Sequence, residues 1–166
     1  PGDEVVVLPS GMTSKIAGID LFDQELDQAY PPMSVTVRLE DDVDVSRGDM
    51  IARVKNAPQP SQDIDAMICW MTTAPLKPRQ KLAIKHTTRT ARALVKDIQY
   101  RLDVNTLHRD QDTKELGVNE IGRVQLRTTV PLLCDPYSQN RTTGSFILID
   151  EATGVTVGAG MINSGA

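Results

Sequence analysis

Short runs rich in Val, Ile, Thr and Leu recur along this chain between clusters of Gly, Pro, Asn, Asp and Ser, while the 3.6-residue apolar period of an amphipathic helix is hard to find. About ten such runs, each bounded by turn residues, restrict the chain to an all-β architecture of short antiparallel strands. Residues 5–8 and 15–20 flank Pro9, Ser10 and Gly11, which predicts a hairpin. Residues 34–39 alternate, with Val35, Val37 and Leu39 inward and Thr36 and Arg38 outward, as in a half-buried strand. Another strand is expected at 50–54, after a turn at 46–49 in which Gly48 lets the backbone reverse.

The segment NAPQPSQ (56–62) is Pro and polar punctuation with almost no apolar content. It predicts a partial first barrel over residues 1–56, a linker over 57–63 and a second barrel over 64–166. In the second part, residues 64–72 are strongly apolar and include Trp70, and strands are expected at 81–86 and 90–100 around the turn 86–89. Residues 103–115 are polar and are expected to hold a helical turn; further strands fall at 121–130, 146–149 and 155–162. Gly122 inside a β-prone run is expected at a bulge or a barrel corner. Two small antiparallel barrels fit better than one sandwich, because the linker lies near the middle of the strand series. Charge divides in the same way: residues 1–57 carry 5 Lys and Arg against 11 Asp and Glu, and residues 58–166 carry 13 against 11.

With 40% apolar and 24% charged residues the chain sits near the globular average. No apolar run approaches the roughly 18 residues that a spanning helix needs. The opening PGDEVVVLPSG has no initiator Met and no basic region ahead of an apolar stretch, so it reads as a cut-out from something longer rather than as a signal peptide. Cys69 and Cys134 belong to no CxxC pair, which argues against a zinc site or a disulfide scaffold and for a reducing, cytosolic setting.

Catalytic signals are sparse. There is no GxxxxGK[ST] phosphate loop, and Gly158, Ala159 and Gly160 sit in a strand ending, where a bulge or a close backbone approach explains them better than a nucleotide does. The two histidines, His86 and His108, fall in different elements and read as ordinary surface or turn residues. Glu40, Asp41, Asp42 and Asp44 lack the glycine and terminal glutamate of an EF-hand and read as a solvated turn or an acidic rim for a basic partner. Cys69, between Ile68 and Trp70, reads as a small core residue with no activating neighbour. The basic set Lys77, Arg79, Lys81, Lys85, Arg89, Arg92, Lys96 and Arg101 includes alternate positions able to share a strand face, but only Tyr100 is near for base stacking. A solvated face or a protein-partner surface therefore suits it better than RNA.

Longer segments carry a resemblance. GSFILIDEATGVTVGAGMI (144–162) resembles the closing strands of the third domain of translational GTPases such as elongation factor Tu. RLDVNTL (101–107), LGVNEIGRVQL (116–126), DPYSQNRTTGSFILID (135–150) and LEDDVDVSRGDMI (39–51) more closely resemble a paralogous family, the GTP-binding large subunit of bacterial ATP sulfurylases, which also occurs fused to an adenylylsulfate kinase. The resemblance implies second- and third-domain barrels of the translation-factor type, the first without its opening strands, in a parent sulfate adenylyltransferase. It also implies that GTP and Mg bind in an N-terminal GTPase domain outside this chain, so that this chain holds no cofactor and no catalytic residue. The implied partners are the small subunit that adenylates sulfate, the parent's own GTPase domain and a C-terminal kinase, in the cytoplasm, with no membrane and no nucleic acid. Partner or interdomain contacts are expected at Arg101 and Asn105 and at Asn140 and Arg141, with caps for loop backbone as the alternative role for all four. The competing assignments are the RNA-gripping barrels of a translation factor and an interaction module of another parent; the acidic balance and the missing aromatics weigh against the first.

Overall fold

The computed structural model describes residues 1–165 and divides the chain into two compact units, Pro1–Pro58 and the remainder from Gln59. In the first unit, β1 (Glu4–Leu8) and β2 (Met12–Leu21) form the hairpin expected from the turn residues, closed by a Gly11 N–H donating to the Val7 carbonyl at 2.8 Å. β1 also pairs with β5 (Met50–Arg53), while the far half of β2 pairs with β3 (Gln24–Glu25) and β4 (Thr36–Leu39). The sheet stays open: among the described residues β5 has only β1 beside it. Burial is confined mainly to β1, where Val5, Val6, Val7 and Leu8 are all at most 8% exposed.

The alternation read in β4 holds only weakly: Val35 and Leu39 are half-buried and Val37 is 37% exposed, while Thr36 and Arg38 face solvent as expected. Among the described residues β4 pairs with β2 alone, and Arg38 reaches back across that pair to Asp20 and Glu25 at 2.7 and 2.6 Å. The acidic turn is tied down by Asp41, which accepts from the buried Ser14 hydroxyl at 2.8 Å.

The second unit contains β6 (Pro60–Trp70), β7 (Lys81–His86), β8 (Arg89–Leu102), β9 (Arg109–Asp110), β10 (Ile121–Leu133), β11 (Ser145–Ile149) and β12 (Thr156–Gly165). Its order is β10–β6–β12–β11–β7–β8, and β8 pairs again with β10, so six strands close into an antiparallel barrel and β9 hangs on β8. β6 begins at Pro60, opposite Leu133, inside the segment read as linker. The helical turn expected in 103–115 forms as a single turn, with the Leu107 N–H donating to the Asp103 carbonyl at 2.7 Å, and it does not extend into a helix. The Asp103 carboxylate accepts from the Asn105 and Thr106 N–H groups at 2.8 and 3.2 Å, capping the start of that turn, and β9 follows. Next to Gly122, the β10–β8 register shifts between Arg123 and Val124, the bulge expected there.

Along β6 the inward residues Ile64, Ala66, Ile68 and Trp70 are at most 1% exposed, the period of two expected of a barrel wall. Removing an isoleucine side chain such as Ile64 or Ile68 from water stabilises by about 1.5–3 kcal/mol. Gly158 and Gly160 of β12 explain the glycine pair. A Cβ on Gly160 would fall 2.1 Å from Phe146 Cζ, and one on Gly158 would fall 3.1 Å from Trp70 Cε3, so these positions seat two core rings directly on backbone. His86, expected at the surface, is 1% exposed on β7, where it caps the core beneath the loop leading to β11; His108 is exposed.

Candidate docking groove

The outward residues of the barrel wall form two cross-strand rows. Register places Lys85, Ile147, Ala159, Cys69 and Ile121 side by side across β7, β11, β12, β6 and β10, and Ser145, Met161, Met67 and Arg123 in the row next to it. Most of these side chains line a groove of about 840 Å³, whose floor is apolar and whose rim carries Thr87, Tyr137, Arg141 and Thr142. Cys69 therefore faces the groove instead of the core, because residues 68 and 70 take the inward positions of β6.

One wall of the groove is the loop 135–144, which is held at several points. Tyr137 donates its N–H to the Ile162 carbonyl at 2.8 Å, and the Asn140 side-chain oxygen accepts from the Thr142 and Thr143 N–H groups at 3.0 and 3.4 Å. The Thr143 hydroxyl donates to Asp135 at 2.7 Å, and His86 Nε2 lies 2.6 Å from the Thr143 carbonyl, the contact of an N–H donor. Burial keeps the His86 pKa below its ordinary value, which favours this neutral tautomer, and burial pushes the neighbouring Cys134 thiol up to about 11. Gly144 completes the bend, since a Cβ there would fall 2.4 Å from the Tyr137 Cα. Asn140 is thus a loop cap, whereas Arg141 is exposed at the rim and has no ion-pair partner among the described residues.

Arg101 and Asn105 lie on a second, smaller depression that shares Ile121 with the groove. There the Arg101 guanidinium donates to Glu120 at 2.7 Å and to Asp110 at 2.9 Å, clamping β8, β9 and the turn before β10. The Glu120 hydrogen bond is the main reason its pKa is raised. Asn105 is exposed, with its backbone N–H held by Asp103. On the barrel surface beside the groove, Arg123 donates to Asp65 at 2.5 Å, and this bond holds the Asp65 carboxyl below the usual carboxylate range. Arg109 stacks 5.1 Å over the Tyr100 ring. Much of the basic set is engaged in the same way, with Arg92 on Glu151, Lys96 on Asp63 and Lys77 on Glu115. The expected stripe reduces to Lys81 and Lys85, two exposed residues on the outer face of β7.

Sequence reasoning singled out Arg141, which lines the groove, but missed the floor. The available signal was that AMICW (66–70) in β6 and FILI (146–149) in β11 are apolar in both registers, so an apolar outer face was implied there once the inner face was assigned.

The family model described as GTP-eEF1A C-terminal domain-like matches residues 63–163. Over 162 residues the chain is 57% identical to the bifunctional enzyme CysN/CysC of Mycobacterium tuberculosis, covering 97% of the chain and 26% of that protein. It is 45% identical to sulfate adenylyltransferase subunit 1 of Alteromonas mediterranea, covering 98% and 34%. The chain therefore spans between a quarter and a third of these curated relatives' length. Sup35 crystallised with GDP superposes with a TM-score of 0.86 at 20% identity, covering 98% of this chain and 40% of that one, a likeness of fold. With the closed barrel and these matches together, the chain belongs to the GTP-eEF1A C-terminal domain-like family, and the relatives bear out the resemblance to sulfate adenylyltransferase subunit 1 read from its sequence.

Proposed function

We propose that this chain is the non-catalytic β-barrel part of a GTP-dependent sulfate adenylyltransferase, where it docks the small sulfate-adenylating subunit and transmits the state of a GTPase domain. The observation that carries this proposal is the 57% identity running over 97% of the chain. In this arrangement GTP and Mg bind in the parent's N-terminal domain, and the small subunit joins ATP and sulfate into adenylylsulfate with release of pyrophosphate. An adenylylsulfate kinase belongs to the bifunctional form, and the whole acts in the cytoplasm. The chain contributes surfaces rather than reacting groups. Arg141 on its anchored loop, with Asn140 shaping that loop, is the contact proposed for the small subunit; Arg101 and Asn105 form a second, interdomain contact.

Calorimetric titration with the small subunit, with transfer RNA in parallel, tests the role. Saturable binding to the subunit alone is expected, and Arg141→Ala should weaken it by roughly fivefold or more while the circular dichroism is unchanged. Unchanged affinity would remove Arg141 from the interface, and no heat from the folded chain would place docking on the GTPase domain.

A further inference from the structure

We infer that the groove over β6, β12 and β11 receives an amphipathic helix of another polypeptide, its apolar stripe on Met67, Met161 and Ile147 and its acidic flank toward Lys85 and Arg141. Charge is the first argument. The chain carries 22 Asp and Glu and a net charge of −4, yet the groove is lined by two cations and no carboxylate. Lys85 and Arg141 have no ion-pair partner among the described residues, although Arg92, Arg101, Arg123 and Arg127 each have one. Acidic side chains on the occupant would satisfy both rim cations, and a basic occupant would meet like charge on either side.

Backbone topology supplies the second argument. β6 is hydrogen-bonded to β10 and β12, β12 to β6 and β11, and β11 to β12 and β7. With both edges of every floor strand occupied, an added strand has no backbone to pair with, so the occupant must bind through side chains, as a helix in a groove does. The third argument is the floor itself. Two methionines adapt to an aliphatic stripe, while the anchored loop already holds Arg141 near its place, which lowers the ordering cost of binding.

The inference rests on the docking role only for which polypeptide carries the helix. Two fluorescein-labelled designed peptides serve as probes, both with Leu at i, i+3, i+4 and i+7, one flanked by Glu and the other by Lys. In anisotropy titrations with this chain the Glu-flanked peptide is expected to bind saturably and at least tenfold more tightly. Met161→Asp should weaken it at least tenfold, and the double variant Lys85→Glu with Arg141→Glu, confined to exposed positions, should reverse the preference. Equal binding of the two peptides, no binding of either, or indifference to all these substitutions would overturn the inference. A dimer in sedimentation that Met161→Asp abolishes would assign the groove to a second copy and overturn it as well. If the peptide binds but the small subunit does not, the helix site stands and the docking role falls.

Discussion

The unit from Gln59 onward wraps six strands into a closed ring, whereas among the described residues the unit over residues 1–58 leaves β5 paired on one side and β4 paired with β2 alone. Both use the same vocabulary of short β-prone runs and turns, so strand propensity does not separate them. Closure does. In the ring, alternate residues such as Ile68, Ile84 and Leu148 are fully buried; in the open sheet, Val37 and Ile51 remain 37% and 39% exposed on equally regular strands. Alternation in a sequence names a face, and only a second layer of protein turns that face into a core. The open unit also carries 11 Asp and Glu against only 5 Lys and Arg, and this net negative charge works against its unpaired edges meeting those of another copy.

The comparison can be broken most directly in the two cores. Trp70→Ala should cost about 3–5 kcal/mol, read by circular dichroism in urea, while Val7→Ala, which removes two methyl groups from the small core of β1, should cost about 1.6 kcal/mol. Equal losses would mean that the open sheet holds its core as firmly as the ring. Next in size, Gly160→Ala forces a methyl into Phe146 and should cost about 1–3 kcal/mol, with part recovered by adding Phe146→Leu. A purely additive double variant would show that ring and strand are not in conflict.

Acid should distinguish the units further, since both histidines lie in the second. The folded-state pKa of His86 is lowered, so neutral His86 supports the fold fully above its unfolded value of roughly 6.5, and that support declines as pH falls below it. His86→Gln should flatten the stability of the second unit between pH 7 and 5, and an unchanged slope would take His86 out of that dependence. The smallest effect belongs to the surface. Arg92→Ala breaks an exposed pair with Glu151 and should change stability by less than about 0.5 kcal/mol, and a larger loss would mean that the outer face of the ring contributes more than its exposure suggests.

The strands, the hairpin turn and the bulge beside Gly122 were legible because each is written in local residue types. β3 and β9, at two residues each, are too short for any periodicity to reveal. The inward turn of His86 was hidden because it depends on the loop 135–144 folding over it, a contact 57 residues away along the chain. The groove floor was half legible: Met67 and Cys69 sit where the alternation of β6 puts them, but their meeting with Ile147 and Met161 follows from strand order, which no single segment encodes. Arg101 looked like a free contact until Asp110 and Glu120 were brought to it by β9 and the turn before β10.

β12 is a wall one residue thick. Ala159 and Met161 stand on its outer side, and on its inner side Gly158 and Gly160 leave bare backbone against the rings of Trp70 and Phe146. Pressure applied outside therefore has no side-chain cushion to cross before it reaches the centre of the ring. Because Trp70 is the sole tryptophan, its emission serves as a built-in gauge of what rests on the outer face, readable without any label.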